Sequence, residues 1–286
     1  LKIEKAVTDA MGLAHDENGK IVLVSGALPE EVVECSLLDS GRGVAKAVAV
    51  SVLEPSPLRI APYCPYYSIC GGCNFQIVSE KDSASIKEDI VKDNLLRIAK
   101  VDELPPFEAT VYGSFARYRH RARFHVSIRD RKWGFMAKKS NEIVRIESCP
   151  LLSSRLDALL GDGREILSAA RSAIFENRTV DGRAEVSAFE GDDEVSLGDR
   201  SVAITVGDIP YLVSANVFFQ SNPRLMPDLL SFVHDNTIGN TIMDLYSGVG
   251  TFSAIFEGEG KKVYAVERER RCLVLSRKNA PSALSF

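Results

Sequence analysis

Three cysteines fall within ten residues in the run Cys64-Pro-Tyr-Tyr-Ser-Ile-Cys70-Gly-Gly-Cys73, a C-x5-C-x2-C spacing. Thiols this close either ligate a common centre or pack apart as small buried hydrophobes. The N-terminal Leu1-Lys2-Ile3-Glu4-Lys5 has no apolar signal core, so secretion is unsupported. A reducing, cytoplasmic setting is therefore expected, which disfavours structural disulfides and favours metal. Gly71 and Gly72 let the backbone fold tightly around a bound centre. A fourth thiol, Cys149, is distant and precedes Pro150. Four thiolates fit zinc or a 4Fe–4S cluster. Structural zinc sites usually pair two short knuckles, and a single C-x2-C with a lone fourth cysteine leans toward the cluster. Cys35, in a strand pattern, and Cys272, in a helix pattern, read as packing residues.

The chain has 286 residues, 45% of them hydrophobic, enough for about two or three domains. It has no apolar run of about 18 residues that would span a membrane. A net charge of −4 argues mildly against nucleic acid, but the distribution is uneven. From Arg117 to Arg145, ten Lys and Arg face only Asp130 and Glu142. Arg117, Arg119, Arg121, Arg123, Lys138 and Lys139 are the candidate RNA contacts in this strip. Clustered cations gain from counterion release on a polyanion. The interleaved Phe115, Tyr118, Phe124, Trp133 and Phe135 offer stacking surfaces for unpaired bases. The bland alternative is a solvated hairpin face.

Along the chain, short strands are expected at 21–24, 32–38 and 44–52, punctuated by glycines, as in a small β-barrel of oligonucleotide-binding type. Pro55-Ser56-Pro57 reads as a linker. A helix over 83–99 has an apolar stripe of Ile86, Ile90, Val91, Leu95 and Ile98, with Asp82 or Ser83 as the expected cap. A β-hairpin follows over 117–146, a helix over 151–160 and strands over 184–215. After Pro223 the pattern changes to helix, strand, glycine loop, helix, strand, helix, as in a doubly wound α/β sheet.

The glycine loop lies in Thr241-Ile-Met-Asp-Leu-Tyr-Ser-Gly-Val-Gly-Thr-Phe-Ser253. Gly248 and Gly250 allow close backbone approach to a ligand, but Ser253 stands where a dinucleotide site has its third glycine. Asp244 precedes the loop, and Glu267 ends the next strand, where an acid suits a ribose diol.

In this order the pieces resemble the RNA (uracil-5-)-methyltransferases, in the RumA-like branch with an N-terminal TRAM domain. The resemblance rests on Val24-Ser-Gly-Ala-Leu-Pro-Glu30, with Glu30 where a glycine is usual. It rests further on Ser56-Pro-Leu-Arg59, the Cys70-Gly-Gly-Cys73 run continued as Asn74-Phe75-Gln76, Tyr118-Arg119, Cys149-Pro150, Asn216-Val-Phe-Phe-Gln220 and the Asp244–Phe252 loop.

The resemblance implies a multidomain α+β and α/β chain. Its parts are a TRAM-like OB-type β-barrel over 1–56, a central α+β domain over 57–215 with the cluster loop and basic hairpin, and the start of a Rossmann-like class I methyltransferase domain over 216–286. It implies a 4Fe–4S cluster on Cys64, Cys70, Cys73 and Cys149, and S-adenosylmethionine contacts at Gln220, Tyr246, Thr251 and Glu267 beside Asp244, Gly248 and Gly250. The expected partner is RNA, ribosomal first and transfer RNA second, bound by a cytoplasmic monomer. In the implied mechanism a cysteine thiolate adds to uracil carbon 6, carbon 5 takes the methyl group, a base removes the carbon-5 proton, and the cysteine leaves. That cysteine is expected beyond Phe286, with no catalytic residue in the chain. The competing readings are a non-catalytic RNA-binding cluster protein and a redox or radical cluster enzyme.

Overall fold

Short apolar runs broken by glycines fill the first 54 positions, and they form five strands. The structure is a computed structural model that describes residues 1–108, 110–175 and 182–286. Strands β1 (Lys5–Val7), β2 (Met11–His15), β3 (Ile21–Ser25), β4 (Val32–Ser40) and β5 (Val44–Glu54) form one sheet in the order β1-β2-β3-β5-β4. All pairs are antiparallel except β3 with β5. Three register shifts between β4 and β5 bend this pair, as bulges do. Ile3, Ala14, Val22, Val24, Ala27, Val33, Ala45 and Ala47 form the core, so β5 turns its small residues Ala45 and Ala47 inward. An antiparallel bridge joins Lys2 to Val32 and ties the N-terminal residues to β4. The strand order itself is that of an open sheet.

The first helix, α1 (Glu80–Arg97), begins earlier than its apolar stripe indicates. Ser79, not Asp82 or Ser83, is the cap: its side chain accepts the Asp82 N–H at 3.1 Å. Ile86 is buried and Ile90 packs on the same cluster, whereas Val91 and Ile98 are exposed. The stripe is thus used only over its first turns.

The chain divides into two compact units, Leu1–Tyr112 and Gly113–Phe286. In the second, β6 (Arg121–Ser127), β7 (Lys132–Met136), β8 (Ile143–Arg145), β9 (Arg183–Glu190) and β10 (Val195–Leu197) form a sheet ordered β10-β9-β6-β7-β8. The expected hairpin is therefore a three-strand meander whose first strand also pairs with β9. Helices α2 (Ser154–Asp162) and α3 (Arg164–Phe175) pack on β6 and β9. A hairpin of β11 (Ser201–Val206) and β12 (Ile209–Ser214) follows.

Next come α4 (Met226–Asp235), β13 (Thr241–Leu245), β14 (Lys262–Val266), α5 (Arg270–Asn279) and β15 (Leu284–Ser285), with the three strands parallel. The glycine loop leads not into the expected helix but into a four-residue 3-10 turn, Ser253–Phe256. One core runs from Phe189 through Val202, Tyr211 and Phe219 to Val249, Cys272 and Leu275, so β11, β12, α4, the glycine loop and α5 share a single interior. No described helix is long and apolar enough to cross a membrane.

Candidate functional site

The loop between β13 and the 3-10 turn is shaped by its glycines and by three polar anchors, Asp244, Glu267 and Asn279. Gly250 has φ +82°, and a Cβ there would lie 2.9 Å from Ser276 Oγ, so only glycine fits without strain. Asp244, at the carboxyl end of β13, accepts two hydrogen bonds on one oxygen, from Ser253 N at 3.0 Å and Ser253 Oγ at 2.7 Å. This explains the departure from the dinucleotide pattern: the serine in the third-glycine place anchors the turn. Burial pushes the Asp244 carboxyl above its ordinary range, against the two Ser253 bonds that favour its charge.

Glu267 follows β14 and reaches back across the loop. Its Oε2 accepts the Gly248 N–H at 2.9 Å and its Oε1 the Glu269 N–H at 2.7 Å. A carboxylate oxygen has two lone pairs, so acceptor capacity remains on both. Tyr246 is 90% exposed and holds φ +61°, a left-handed conformation uncommon outside glycine. The Thr251 carbonyl accepts from Tyr211 Oη at 2.9 Å. Gln220 is half-buried at the end of the Asn216–Gln220 segment. Asp244, Tyr246, Gly248, Gly250, Thr251 and Glu267 thus gather at the carboxyl ends of β13 and β14, where α/β sheets bind ligands.

Sequence reasoning missed Asn279. Its side chain donates to Val249 O at 2.8 Å and to Leu212 O at 3.0 Å, and accepts the Leu212 N–H at 2.7 Å. It fastens the glycine loop to β12, a role with no local signal because its partners lie 30 and 67 residues away. Cys272 is buried, and burial followed by Glu267 and Glu269 pushes its thiol up.

In the first unit, Cys70 is buried and its sulfur accepts the Gly72 N–H at 3.4 Å. Gln76 is 3% exposed and does two things: its Oε1 accepts the Cys64 N–H at 3.2 Å, and its Nε2 donates to Cys73 Sγ at 3.4 Å. Donors aimed at sulfur favour thiolate ligands. In the second unit, the Cys149 N–H donates to Asp157 Oδ1 at 2.6 Å. Among the described residues, no group of three or more His, Cys, Asp or Glu is arranged to hold a metal ion.

The basic strip is less uniform than its sequence. Arg117 pairs with Asp157 at 2.7 Å, and Arg123 with Glu185 at 3.3 Å. Arg121 is half-buried and donates to the Ala215 carbonyl at 3.4 Å. Arg119 is half-buried beside Leu152. Lys138 is half-buried and Lys139 exposed. Phe124 is fully buried against Phe135, and Trp133 is buried with its Nε1 donating to Leu160 O at 2.7 Å. Phe124 and Trp133 are core residues, not stacking platforms, because they occupy the face of β6 and β7 that meets α2 and α3.

The chain as a whole has a known counterpart in fold. The tRNA (uracil-54, C5)-methyltransferase of Pyrococcus abyssi, solved with S-adenosyl-L-homocysteine, matches 100% of this chain and 78% of its own, with a TM-score of 0.68 and 20% identity. No family model matches. Among curated relatives, a 23S rRNA (uracil(1939)-C(5))-methyltransferase RlmD from Azoarcus is 30% identical over 97% of this chain and 74% of its own. Another, from Neisseria lactamica, is 31% identical over 92% and 68%. An uncharacterized RNA methyltransferase from Treponema denticola is 28% identical over 98% and 70%. The fold is thus that of an RNA base methyltransferase. The chain belongs to the RNA (uracil-5-)-methyltransferase family.

Proposed function

We propose that this chain serves methylation of carbon 5 of a uridine in RNA, with S-adenosylmethionine as donor and 23S ribosomal RNA as the preferred substrate. One observation carries the reading: Glu267 closes over the Gly248 amide at the carboxyl edge of a parallel strand pair in a member of this family. When bound, S-adenosylmethionine supplies the electrophilic methyl group. Glu267 would accept the ribose hydroxyls on its remaining lone pairs, a charge-assisted interaction contributing roughly 1.5–3 kcal/mol. Gly248 and Gly250 keep the loop free of side chains, Asp244 holds the turn, and Gln220, Tyr246 and Thr251 border the pocket.

Carbon 5 becomes nucleophilic only when a thiolate adds to carbon 6. The family resemblance implies a nucleophilic cysteine distinct from Cys35 and Cys272, and we keep it outside these 286 residues. Cys64, Cys70, Cys73 and Cys149 are assigned as ligands of a 4Fe–4S cluster. The donors from Gly72 and Gln76 support this reading, and a fully ligated cluster would be structural. The five N-terminal strands are read as a TRAM-like barrel of OB type, and the Lys2–Val32 bridge, which ties the residues before β1 to the edge strand β4, supports this reading. The segments 1–56, 57–215 and 216–286 are kept as the functional division, with a monomeric, cytoplasmic protein.

The test has two arms. Calorimetry should show saturable but weak S-adenosylmethionine binding, and filter retention should favour unmodified 23S RNA fragments over transfer RNA. Tritiated methyl transfer by the 286-residue chain should be absent. Failure to bind S-adenosylmethionine would overturn the donor assignment. Robust turnover, with a 5-fluorouridine RNA adduct mapping to Cys272, would overturn the placement of the nucleophile.

A further inference from the structure

We propose that Gln76 is a positioning residue for the cysteine loop. Through one side-chain amide it fixes the Cys64 arm and donates to the Cys73 sulfur, and so sets the lability and reduction potential of the centre these thiols hold. This rests on the 4Fe–4S reading above. Gln76 lies 12 residues beyond Cys64 and 3 beyond Cys73. It is 3% exposed, and a glutamine so deeply buried needs partners for both ends of its amide.

Gln76 is held from the backbone outward. Ile77 and Val78, which follow it, are buried with Leu28 and Ile86, and Phe75 packs on the same cluster. The Ile60 N–H donates to the Ile77 carbonyl at 2.9 Å, which ties this segment to the residues leading into Cys64. Tyr67 Oη donates to the Asn74 carbonyl at 2.7 Å and crosses the loop. The orientation of the amide follows from its partners. A backbone N–H only donates, so Oε1 faces the Cys64 N–H, 3.2 Å away. That leaves Nε2 directed at Cys73 Sγ, 3.4 Å away. Cys70 receives a donor of its own, the Gly72 N–H at 3.4 Å.

Glutamine suits this place because one planar group carries a donor and an acceptor. Glutamate would keep the acceptor for the Cys64 amide but set a carboxylate oxygen against an anionic sulfur. Methionine would fill a similar volume and offer neither bond. The two bonds do different work. An N–H aimed at a cluster thiolate favours the more negative, reduced form, so the Cys73 bond raises the potential. The Cys64 bond holds the backbone from which that thiol projects, so its loss frees one arm of the ligand set and eases the escape of iron.

The test is an anaerobic redox titration of the full chain followed by visible absorption and electron paramagnetic resonance, with iron release to a chelator as the second readout. Gln76→Met should lower the reduced-to-oxidised ratio about tenfold at a given potential, a shift of about −59 mV for a one-electron couple. It should also speed iron release several-fold. Gln76→Glu should shift the potential at least as far but release iron more slowly than Gln76→Met, because it keeps the Cys64 bond. Ile77→Val, which trims the same core, should lower the melting temperature and leave potential and release rate alone. A potential unchanged in either Gln76 variant, or an equal shift in Ile77→Val, would overturn this inference. So would a Gln76→Met protein that is unfolded by circular dichroism, since Gln76 would then serve the fold alone. A folded Gln76→Met protein that takes up no iron and sulfide would support it. An unaltered chain without iron and sulfide would overturn the cluster reading itself, and this inference with it.

Discussion

Glu267 holds the Gly248 amide and, in the proposed site, the donor's ribose. Removing its carboxylate should therefore cost more than one contact. Glu267→Ala should weaken S-adenosylmethionine binding by more than tenfold in calorimetry, with Glu267→Gln in between, since an amide oxygen still accepts one bond. Asp244 behaves differently. Its carboxyl is raised in the fold, mainly by burial. The folded-state value therefore lies above the unfolded one, and the contribution of its neutral form is complete below the unfolded value and lost as pH rises through the folded value. At neutral pH the buried charge is a cost. Asp244→Asn keeps an acceptor for Ser253, so urea titration should show higher stability at pH 7 and a flatter mildly acidic limb. Glu30 shows a third effect. It sits at φ +72°, where an L side chain is strained by about 1–2 kcal/mol. Glycine would relieve that strain at some cost in unfolded-chain entropy. Glu30→Gly should raise stability by about 0.5–1 kcal/mol, read as a higher melting temperature.

Between elements, one buried carboxylate ties the end of the β3–β4 turn to the segment after β5. Glu31 is fully buried and accepts from the Leu28 amide at 2.8 Å, the Ser56 amide at 3.2 Å and both Nε and Nη2 of Arg59. Burial pushes its carboxyl up, but Arg59 and the two amides outweigh that and hold it below the ordinary range. The sign is thus opposite to that of Asp244: the stabilisation is present above the unfolded value and is lost as pH falls through the folded one. Glu31→Gln leaves Arg59 poorly compensated and should cost about 3 kcal/mol, measured by denaturant unfolding at pH 7. The loss should shrink at low pH, where the wild-type carboxyl is itself protonated.

For the whole molecule, the sharpest test is metal content. Anaerobically purified protein should be brown and hold iron and acid-labile sulfide, and Cys149→Ser should lose both along with thermal stability. Stoichiometric zinc without sulfide would refute the cluster. The fold reaches a TM-score of 0.68 against a solved methyltransferase at 20% identity. Architecture thus persists where most side chains differ, because burial pattern and turn chemistry tolerate substitution while volume and periodicity are kept.

Local signals in the sequence determined much of this protein. Short apolar runs broken by glycines marked β3, β4 and β5, glycines marked the loop after β13, and Glu267 was marked by its place at the end of the next strand. These features have periods or spacings shorter than a turn or a strand, so a single segment carries them. The tertiary structure decided whatever depended on distant partners. The basic strip reads as one feature, yet Asp157 and Ala215 take up Arg117 and Arg121, while β9 brings Glu185 and Arg183 beside His125. Phe124 and Trp133 turn inward because β6 and β7 lie under α2 and α3. In each case a long-range hydrogen bond or packing face outweighs the local preference, and its partner lies tens of residues away, beyond the reach of any local pattern.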